Sequence, residues 1–235
     1  MVIPVGTLIN GAAVVAGSCI GMLLGNRLTE GMKTIVFQGL SLCTLVIGLD
    51  MALKSGNMLF VIGSIVLGGI IGEFLDIDAA ITRGSDCLKN ALKSSNSRFT
   101  QGFVSATLLF CIGSMAILGP LQEGLEGNRT IVLTKTMLDF FAAIAFGAAF
   151  GSGVAFSALP IVLYQGAITL FAETLRPILD AAVRTELAAV GGILIVGISI
   201  NLLEVKSIKL SNFLPALVIV VLLCTLAEAY PIAIP

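Results

Sequence analysis

The sequence predicts an all-α protein, a bundle of helices that cross a membrane several times, and three observations lead to this prediction. Hydrophobic residues make up 57% of the 235-residue chain, whereas charged residues make up only 11%. A soluble domain of ordinary composition carries roughly 25% charged residues, so most of this protein's surface must face lipid. The apolar residues also form runs of about 20, the length that a helix needs to cross the hydrocarbon core.

Eight apolar runs are predicted to be the membrane segments of one integral membrane domain that covers residues 1–235. The runs lie at residues 2–25, 34–53, 57–75, 102–121, 137–153, 157–175, 187–204 and 212–230. Because no basic residue precedes the first run, we expect a retained helix rather than a cleaved signal peptide. The stretches at 63–77 and 191–205 resemble each other, and an inverted repeat, common in transporters, is one interpretation of this resemblance.

The fifth and sixth runs form one apolar stretch, from Met137 to Leu175, which is too long for a single crossing. Its middle reads GSGVAFSALP, and glycine and proline are the residues that most weaken a helix. The sequence therefore predicts a break. Backbone groups freed within lipid must face protein or a water-filled cavity. The break is thus either a broken or re-entrant pair that lines a polar path, or a tight turn between two ordinary helices.

Polar residues inside the apolar runs are the candidates for a transport path. The predicted path consists of Gly151, Ser152, Gly153, Ser157 and Gln165, with Asn10, Asn201 and Glu73 as further members. Their carbonyl, hydroxyl and amide oxygens are hard ligands of the kind that Na⁺ accepts. Since Asp139 falls at the start of its run, we expect it to be solvated. We also expect no lysine or arginine deep in the membrane.

Several function classes are excluded by residues that the sequence lacks. Without histidine, neither a Ser-His-Asp nor a Cys-His catalytic group can form, and no histidine-bound metal site exists. No Walker A motif occurs, so the chain itself does not hydrolyse ATP. The carboxylates of Asp50, Glu73 and Asp139 show no spacing that indicates a catalytic pair. We therefore expect no enzyme activity, no cofactor and no metal centre, and a net charge of −1 gives no nucleic-acid surface.

Small residues recur every fourth position in two of the predicted helices. The stripes contain Gly17, Gly21 and Gly25 in the first run and Ser64, Gly68 and Gly72 in the third. Such stripes let another helix backbone approach closely. They predict either packing within the chain or a homo-oligomer interface, with a dimer favoured.

The longest polar stretch, residues 76–101, has apolar residues at helical spacing beside lysines and arginines. This pattern predicts an amphipathic helix on the membrane surface. Lysine and arginine are more numerous on the side of this stretch, and such residues favour the cytoplasm. We therefore expect a multi-pass protein of the bacterial inner (plasma) membrane, with residues 76–101 inside and both termini outside.

Four ordered motifs together resemble a known family: GTLINGAAVVAGSCIGMLLGNRL, QGLSLCTLVIGLDMAL, AFGSGVAFSALPIVLYQGAITLFAETLRPIL and GGILIVGISINLLEVKSIKLSNFLPAL. The chain resembles the YqgA/YdfK-like bacterial integral membrane proteins, a domain-of-unknown-function family, over nearly its whole length. The resemblance implies no established activity, although the family has been labelled a sodium channel or pump. We expect a secondary transporter or channel for a small cation, Na⁺ favoured, or a small solute. The alternative is a membrane scaffold or regulatory subunit.

Overall fold

A computed structural model describes residues 3–25, 29–91, 97–112 and 114–229. All regular structure in these ranges is helical, which confirms the predicted all-α class. The α-helices are α1 (Val5–Gly25), α2 (Glu30–Ala52), α3 (Met58–Phe74), α4 (Ile77–Ala91), α5 (Phe99–Cys111), α6 (Ser114–Glu126), α7 (Thr130–Phe150), α8 (Ser152–Phe156), α9 (Ala158–Leu170), α10 (Ala172–Leu175), α11 (Ala181–Leu202) and α12 (Pro215–Ala229). A 3₁₀ turn, Leu210–Phe213, precedes α12.

Five helical stretches in the described residues are long and apolar enough to cross a membrane, and up to seven if each of two bent pairs is one span. The bent pairs are α3 with α4, at 63°, and α5 with α6, at 57°. The remaining predicted run, 34–53, lies on the 23-residue helix α2, in which the fully described part includes the shorter apolar helix Ser41–Ala52. The membrane helix bundle is therefore confirmed, with five to seven spans by length and composition against the eight predicted runs.

The helices near the two ends of the chain form three antiparallel pairs. Ser199 on α11 donates to the carbonyl of Ser41 on α2, and Gly192 lies beside Ala52, so α2 and α11 run in opposite directions. In the same way α3 pairs with α12, and α1 pairs with α9. Along the chain, α1, α2 and α3 meet their partners α9, α11 and α12 in the same order, and this is the arrangement that an inverted repeat produces. The similar stretches 63–77 and 191–205 lie on α3 and α11, which begin at the same end, so that particular resemblance is not an inverted one.

Both stripes of small residues pack within the chain. Gly17, Gly21 and Gly25 lie against backbone atoms of α7, which runs parallel to α1. Ser64 is fully buried, and Gly68 and Gly72 lie against the start of α12 and the turn before it. A Cβ atom on any of these five glycines would collide with backbone, so the stripes are used for close packing of neighbouring helices.

The bundle has two ends, which we call the N-terminal face and the α4 face. α1, α7 and α11 begin at the N-terminal face, and the side chain of Glu186 there accepts hydrogen bonds from Ser55 and from the backbone of Gly56 and Asn57. The α4 face carries α4, which follows α3 after the 63° bend. α4 lies within the predicted amphipathic stretch 76–101, of which residues 92–96 lie outside the described residues.

Candidate functional site

Five polar side chains are buried where four helices meet, and we call them the polar cluster. Its members are Asn10 on α1, Glu123 on α6, Lys135 and Asp139 on α7, and Gln165 on α9. No member has more than 7% of its surface exposed. Charged and polar groups inside membrane helices are costly in free energy, and they usually mark a functional site.

The centre of the polar cluster is the carboxylate of Asp139. The side-chain amide of Asn10 donates to Asp139 Oδ2 at 3.0 Å and to Gln165 Oε1 at 3.2 Å. Lys135 Nζ donates to the same Asp139 oxygen. One carboxylate oxygen is therefore shared by an ammonium and an amide, and the bonds connect α1, α7 and α9.

Local sequence explains why these groups meet. Lys135 and Asp139 are four residues apart, so they lie on the same face of α7. On α1, Gly6 lies against Val132 and Gly11 against Val162. A side chain at either glycine would push α1 away from α7 or α9. The glycines thus let Asn10 come within hydrogen-bond distance of both neighbouring helices.

Glu123 connects the polar cluster to the N-terminal face. Its Oε1 accepts from the backbone N–H of Gly6 at 2.7 Å and from Arg129 Nε at 2.8 Å. The carboxylate is fully buried, whereas 42% of the Arg129 side chain is exposed. The bond from Gly6 connects the start of α1 with the end of α6, one turn of α1 before Asn10.

Four buried polar atoms in this region have no hydrogen-bond partner among the described residues. They are Thr7 Oγ1, Asn10 Oδ1, Glu123 Oε2 and Gln165 Nε2. A buried polar group without a partner costs roughly 1–3 kcal/mol. A small polar ligand or ion in the cluster could supply the missing interactions, which makes these atoms candidates for ligand contacts.

A cavity of about 380 Å³ reaches the polar cluster from the N-terminal face. Lys135 and Asp139 line its inner part, and Asp50 and Lys54 line its outer part. Asp50 and Lys54 form an exposed ion pair at 2.6 Å, near the end of α2 at the N-terminal face. Toward the α4 face, α7 continues into a tightly packed apolar core. The buried residues of that core include Val14, Ala143, Phe146, Phe150 and Ile161.

The bent pair α5–α6 lines the same cavity. Leu109 of α5 and Ile112, which directly follows α5, lie on one side of the 57° bend, and Met115 and Ala116 of α6 lie on the other. Residue 113, between them, lies outside the described residues. Transporters commonly place a discontinuous helix beside a binding site at mid-membrane depth. Here the discontinuous helix beside the polar cluster is α5–α6 and not the stretch that the sequence indicated.

The GSGVAFSALP stretch is a turn between two antiparallel helices, α7 and the α8–α9 span, at the α4 face. Gly151 adopts φ +77°, which favours glycine, and its carbonyl accepts from the N–H of Val154. The carbonyl of Val154 in turn accepts from both the N–H and the hydroxyl of Ser157. Gly153 lies against the Phe99 carbonyl. Gly151, Ser152, Gly153 and Ser157 are therefore far from the polar cluster, and the tight-turn alternative describes them.

The four other predicted path residues fall into two groups. Asn10 and Gln165 are in the polar cluster. Asn201 instead exchanges two hydrogen bonds with the backbone of Ile208 and closes the loop after α11. Glu73 accepts from Lys209 and Asn212 at the α4 face, with 63% of its side chain exposed. Neither contacts the cluster.

Two expectations from the sequence were wrong, and both concern α7. This helix begins at Thr130, seven residues before the predicted run at 137. Asp139 therefore lies about 13 Å along the helix axis and is buried rather than solvated. Lys135 is a buried lysine within the helix, where none was expected. The Lys-x-x-x-Asp spacing is the signal that could have identified the pair.

Comparisons with known proteins agree on a membrane protein family without an assigned activity. Residues 5–225 match the family described as "Protein of unknown function (DUF554)". The chain is 33% identical over 218 residues to "Uncharacterized membrane protein YdfK" of Bacillus subtilis (strain 168), which covers 91% of this chain and 93% of that protein. It is 28% identical over 220 residues to "Uncharacterized protein YqgA" of Escherichia coli (strain K12), at 92% and 94% coverage. No solved structure gives a significant match.

Proposed function

We propose that this chain, which belongs to the DUF554 family of membrane proteins, is a secondary transporter or channel for a small cation, with Na⁺ favoured, or for a small solute. One observation carries the proposal. The Asp139 carboxylate is buried in the membrane bundle, is held by one ammonium and one amide, and lies at the inner end of a cavity. A carboxylate in this position costs free energy that packing alone would not require.

The residues around Asp139 suit a monovalent cation. The NH₂ group of Asn10 lies between Asp139 Oδ2 and Gln165 Oε1, while Asn10 Oδ1 has no partner. Rotating this amide by half a turn exchanges its donor for its acceptor. A cation between the three side chains would then meet one carboxylate oxygen, of Asp139, and two amide oxygens, of Asn10 and Gln165, which are hard ligands. Because the one carboxylate, Asp139, already has a lysine beside it, a monovalent cation is favoured over a divalent one.

Access to the cluster from one face supports a transporter more than an open pore. The 380 Å³ cavity connects the cluster with the N-terminal face, and the apolar core lies between the cluster and the α4 face. Release on the second side would require a rearrangement of the helices that line the cavity. The bent α5–α6 pair lines it, and the three antiparallel helix pairs are of the kind that support alternating access.

The test is charge movement by purified protein in proteoliposomes on a solid-supported membrane, with Na⁺, K⁺ and H⁺ gradients applied one at a time. We expect a Na⁺-dependent current that Asp139→Asn abolishes. Asp50→Asn is the matched control, since Asp50 is exposed at the outer end of the same cavity. A wild-type current in a folded Asp139→Asn protein would refute the assigned site. If the wild type gave no current under any of the three gradients, simple ion transport would be excluded.

One specific observation still supports the scaffold alternative. The small-residue stripes, which could also have served an interface, are used in packing within the chain. The charged surface of α4, with Arg83 and Asp86 exposed, is what remains available for a partner protein. A scaffold should co-purify with a stable partner from native membranes in mild detergent, whereas a transporter should not need one.

A further inference from the structure

A second and larger cavity, of about 680 Å³, lies within the bundle between α5, α6, α9, α11 and α12. It extends from Ile81 and Ser211 at the α4 face to Leu175 and Leu179 near the N-terminal face. Its walls are almost entirely hydrocarbon, and water does not fill cavities of that kind. The bend between α5 and α6 helps to create this space, because neither helix continues straight past Ile112.

The apolar cavity opens sideways toward lipid. Four of its wall residues are also exposed on the outside of the bundle: Tyr164, Ile178, Val218 and Leu222. Thr107 lines the cavity as well, and its buried hydroxyl has no partner among the described residues. A hydrocarbon chain from the surrounding bilayer can therefore enter without first crossing water.

A polar cavity of about 470 Å³ adjoins the apolar one at the α4 face. Val104 and Ser211 line both cavities, so the two lie side by side at these residues. The charged side chains of the polar cavity balance, with two acids and two lysines: Asp78, Glu204, Lys206 and Lys209. Lys209 also pairs with Glu73 on α3 at 2.9 Å. Thr82, Thr100, Gln101, Asn201 and Ser207, which have hydroxyl or amide side chains, also line this cavity.

We propose that these two cavities together bind one membrane phospholipid with a phosphoethanolamine headgroup. One of its two acyl chains occupies the apolar cavity, and the headgroup occupies the polar one. The lysines face the phosphate, as charge-assisted hydrogen bonds favour. The two carboxylates face the ammonium, whose N–H groups can donate to them. A choline headgroup has no such N–H groups, and a glycerol headgroup has no positive charge. This site does not depend on the proposed transport function.

Native mass spectrometry of the full-length protein tests the proposal. The delipidated protein is incubated with vesicles of phosphatidylethanolamine, phosphatidylglycerol or phosphatidylcholine, and retained lipid is counted after activation. We expect one phosphatidylethanolamine per chain, retained about tenfold more than either of the other lipids. Val104→Trp should abolish retention because it blocks the junction of the cavities, and Leu163→Trp, at an exposed site outside both, should not.

A charge variant keeps the proposal testable should Val104→Trp fail to fold. Lys206→Glu changes an exposed residue of the polar cavity, and we expect it to lower phosphatidylethanolamine retention about tenfold. Arg83→Glu, exposed on the same face outside both cavities, is the control and should leave retention unchanged. Equal retention of the three lipids, or no effect of Val104→Trp and Lys206→Glu, would overturn the proposal.

Discussion

The buried ion pair of Lys135 and Asp139 gives a quantitative prediction about stability. Asp139→Leu leaves the ammonium of Lys135, whose side chain is only 7% exposed, without a counter-charge. Removing one partner of a buried pair costs about 3–5 kcal/mol. For a chain of this size that lowers the unfolding temperature by roughly 6–20 °C. Lys135→Met should also destabilise, but less, because Asn10 still donates to the carboxylate.

The double variant Lys135→Met/Asp139→Leu isolates the interaction. Replacing both charges by apolar groups removes the desolvation cost of each, so we expect the double variant to be more stable than Asp139→Leu alone. The coupling energy should be at least about 2 kcal/mol. Asp50 and Lys54 form an exposed pair with the same four-residue spacing, and their variants should cost only about 0–1 kcal/mol.

Thermal unfolding in detergent, followed by far-ultraviolet circular dichroism, is the appropriate assay, since the chain contains no tryptophan. Unfolding of Asp139→Leu at the wild-type temperature would refute the reasoning, because it would mean that Lys135 reaches water. Additive effects of the two substitutions would refute the direct interaction. Either result would also remove the main support for the proposed transport site.

Two further predictions concern packing and orientation. Gly72→Ala should destabilise the protein by about 1–3 kcal/mol, because its Cβ would overlap the carbonyl of Asn212. Gly39→Ala, with no atom within 4 Å, is the control for the same thermal assay, and equal stability of the two variants would contradict the packing. With the other cysteines replaced by alanine, exposed Cys87 on α4 should react with an impermeant maleimide only in opened cells. Labelling of intact cells would reverse the expected orientation.

The membrane helix bundle could be predicted from composition because lipid leaves few alternatives. Backbone groups in hydrocarbon must be paired internally, so long apolar runs in a charge-poor chain are helices. The bend between α5 and α6 was not evident, since the run 102–121 reads as one continuous apolar segment. Which helices pair, and in which direction, depends on contacts between residues far apart in the chain, such as Ser41 and Ser199.

The candidate site was only half predictable. Asn10 and Gln165 stand out as polar residues inside apolar runs, and the structure brings them together. Lys135 and Asp139 do not stand out in the sequence, because charges commonly lie at the end of an apolar run, although a pair at this spacing can enter a membrane helix as a neutral unit. Glu123 lies near the end of α6, shortly before Gly127, whose φ of +69° forms a turn. Its sequence context predicts a loop, yet it is fully buried. Arg129 pairs with it across that turn.

The charge balance of the site leads to a last prediction, about Na⁺. Lys135 already neutralises Asp139, so a bound Na⁺ would add an uncompensated positive charge, and we expect weak binding to the wild type. Lys135→Met leaves the carboxylate, Asn10 and Gln165 with a net negative charge. Na⁺ should then bind more tightly and raise the unfolding temperature of this variant more than that of the wild type.

The comparison is made with NaCl against choline chloride at equal ionic strength, so that screening of surface charges cancels. Lys54→Met, which removes an exposed lysine at the outer end of the same cavity, is the control and should respond to Na⁺ as the wild type does. Equal stabilisation of both proteins by Na⁺ would mean that Lys135 does not compete for the Asp139 carboxylate, whereas no Na⁺ response in either protein would mean that this carboxylate does not bind Na⁺. A neutral solute would then suit the polar cluster better than a cation, because it could use the unpaired atoms of Asn10 and Gln165 without changing the charge.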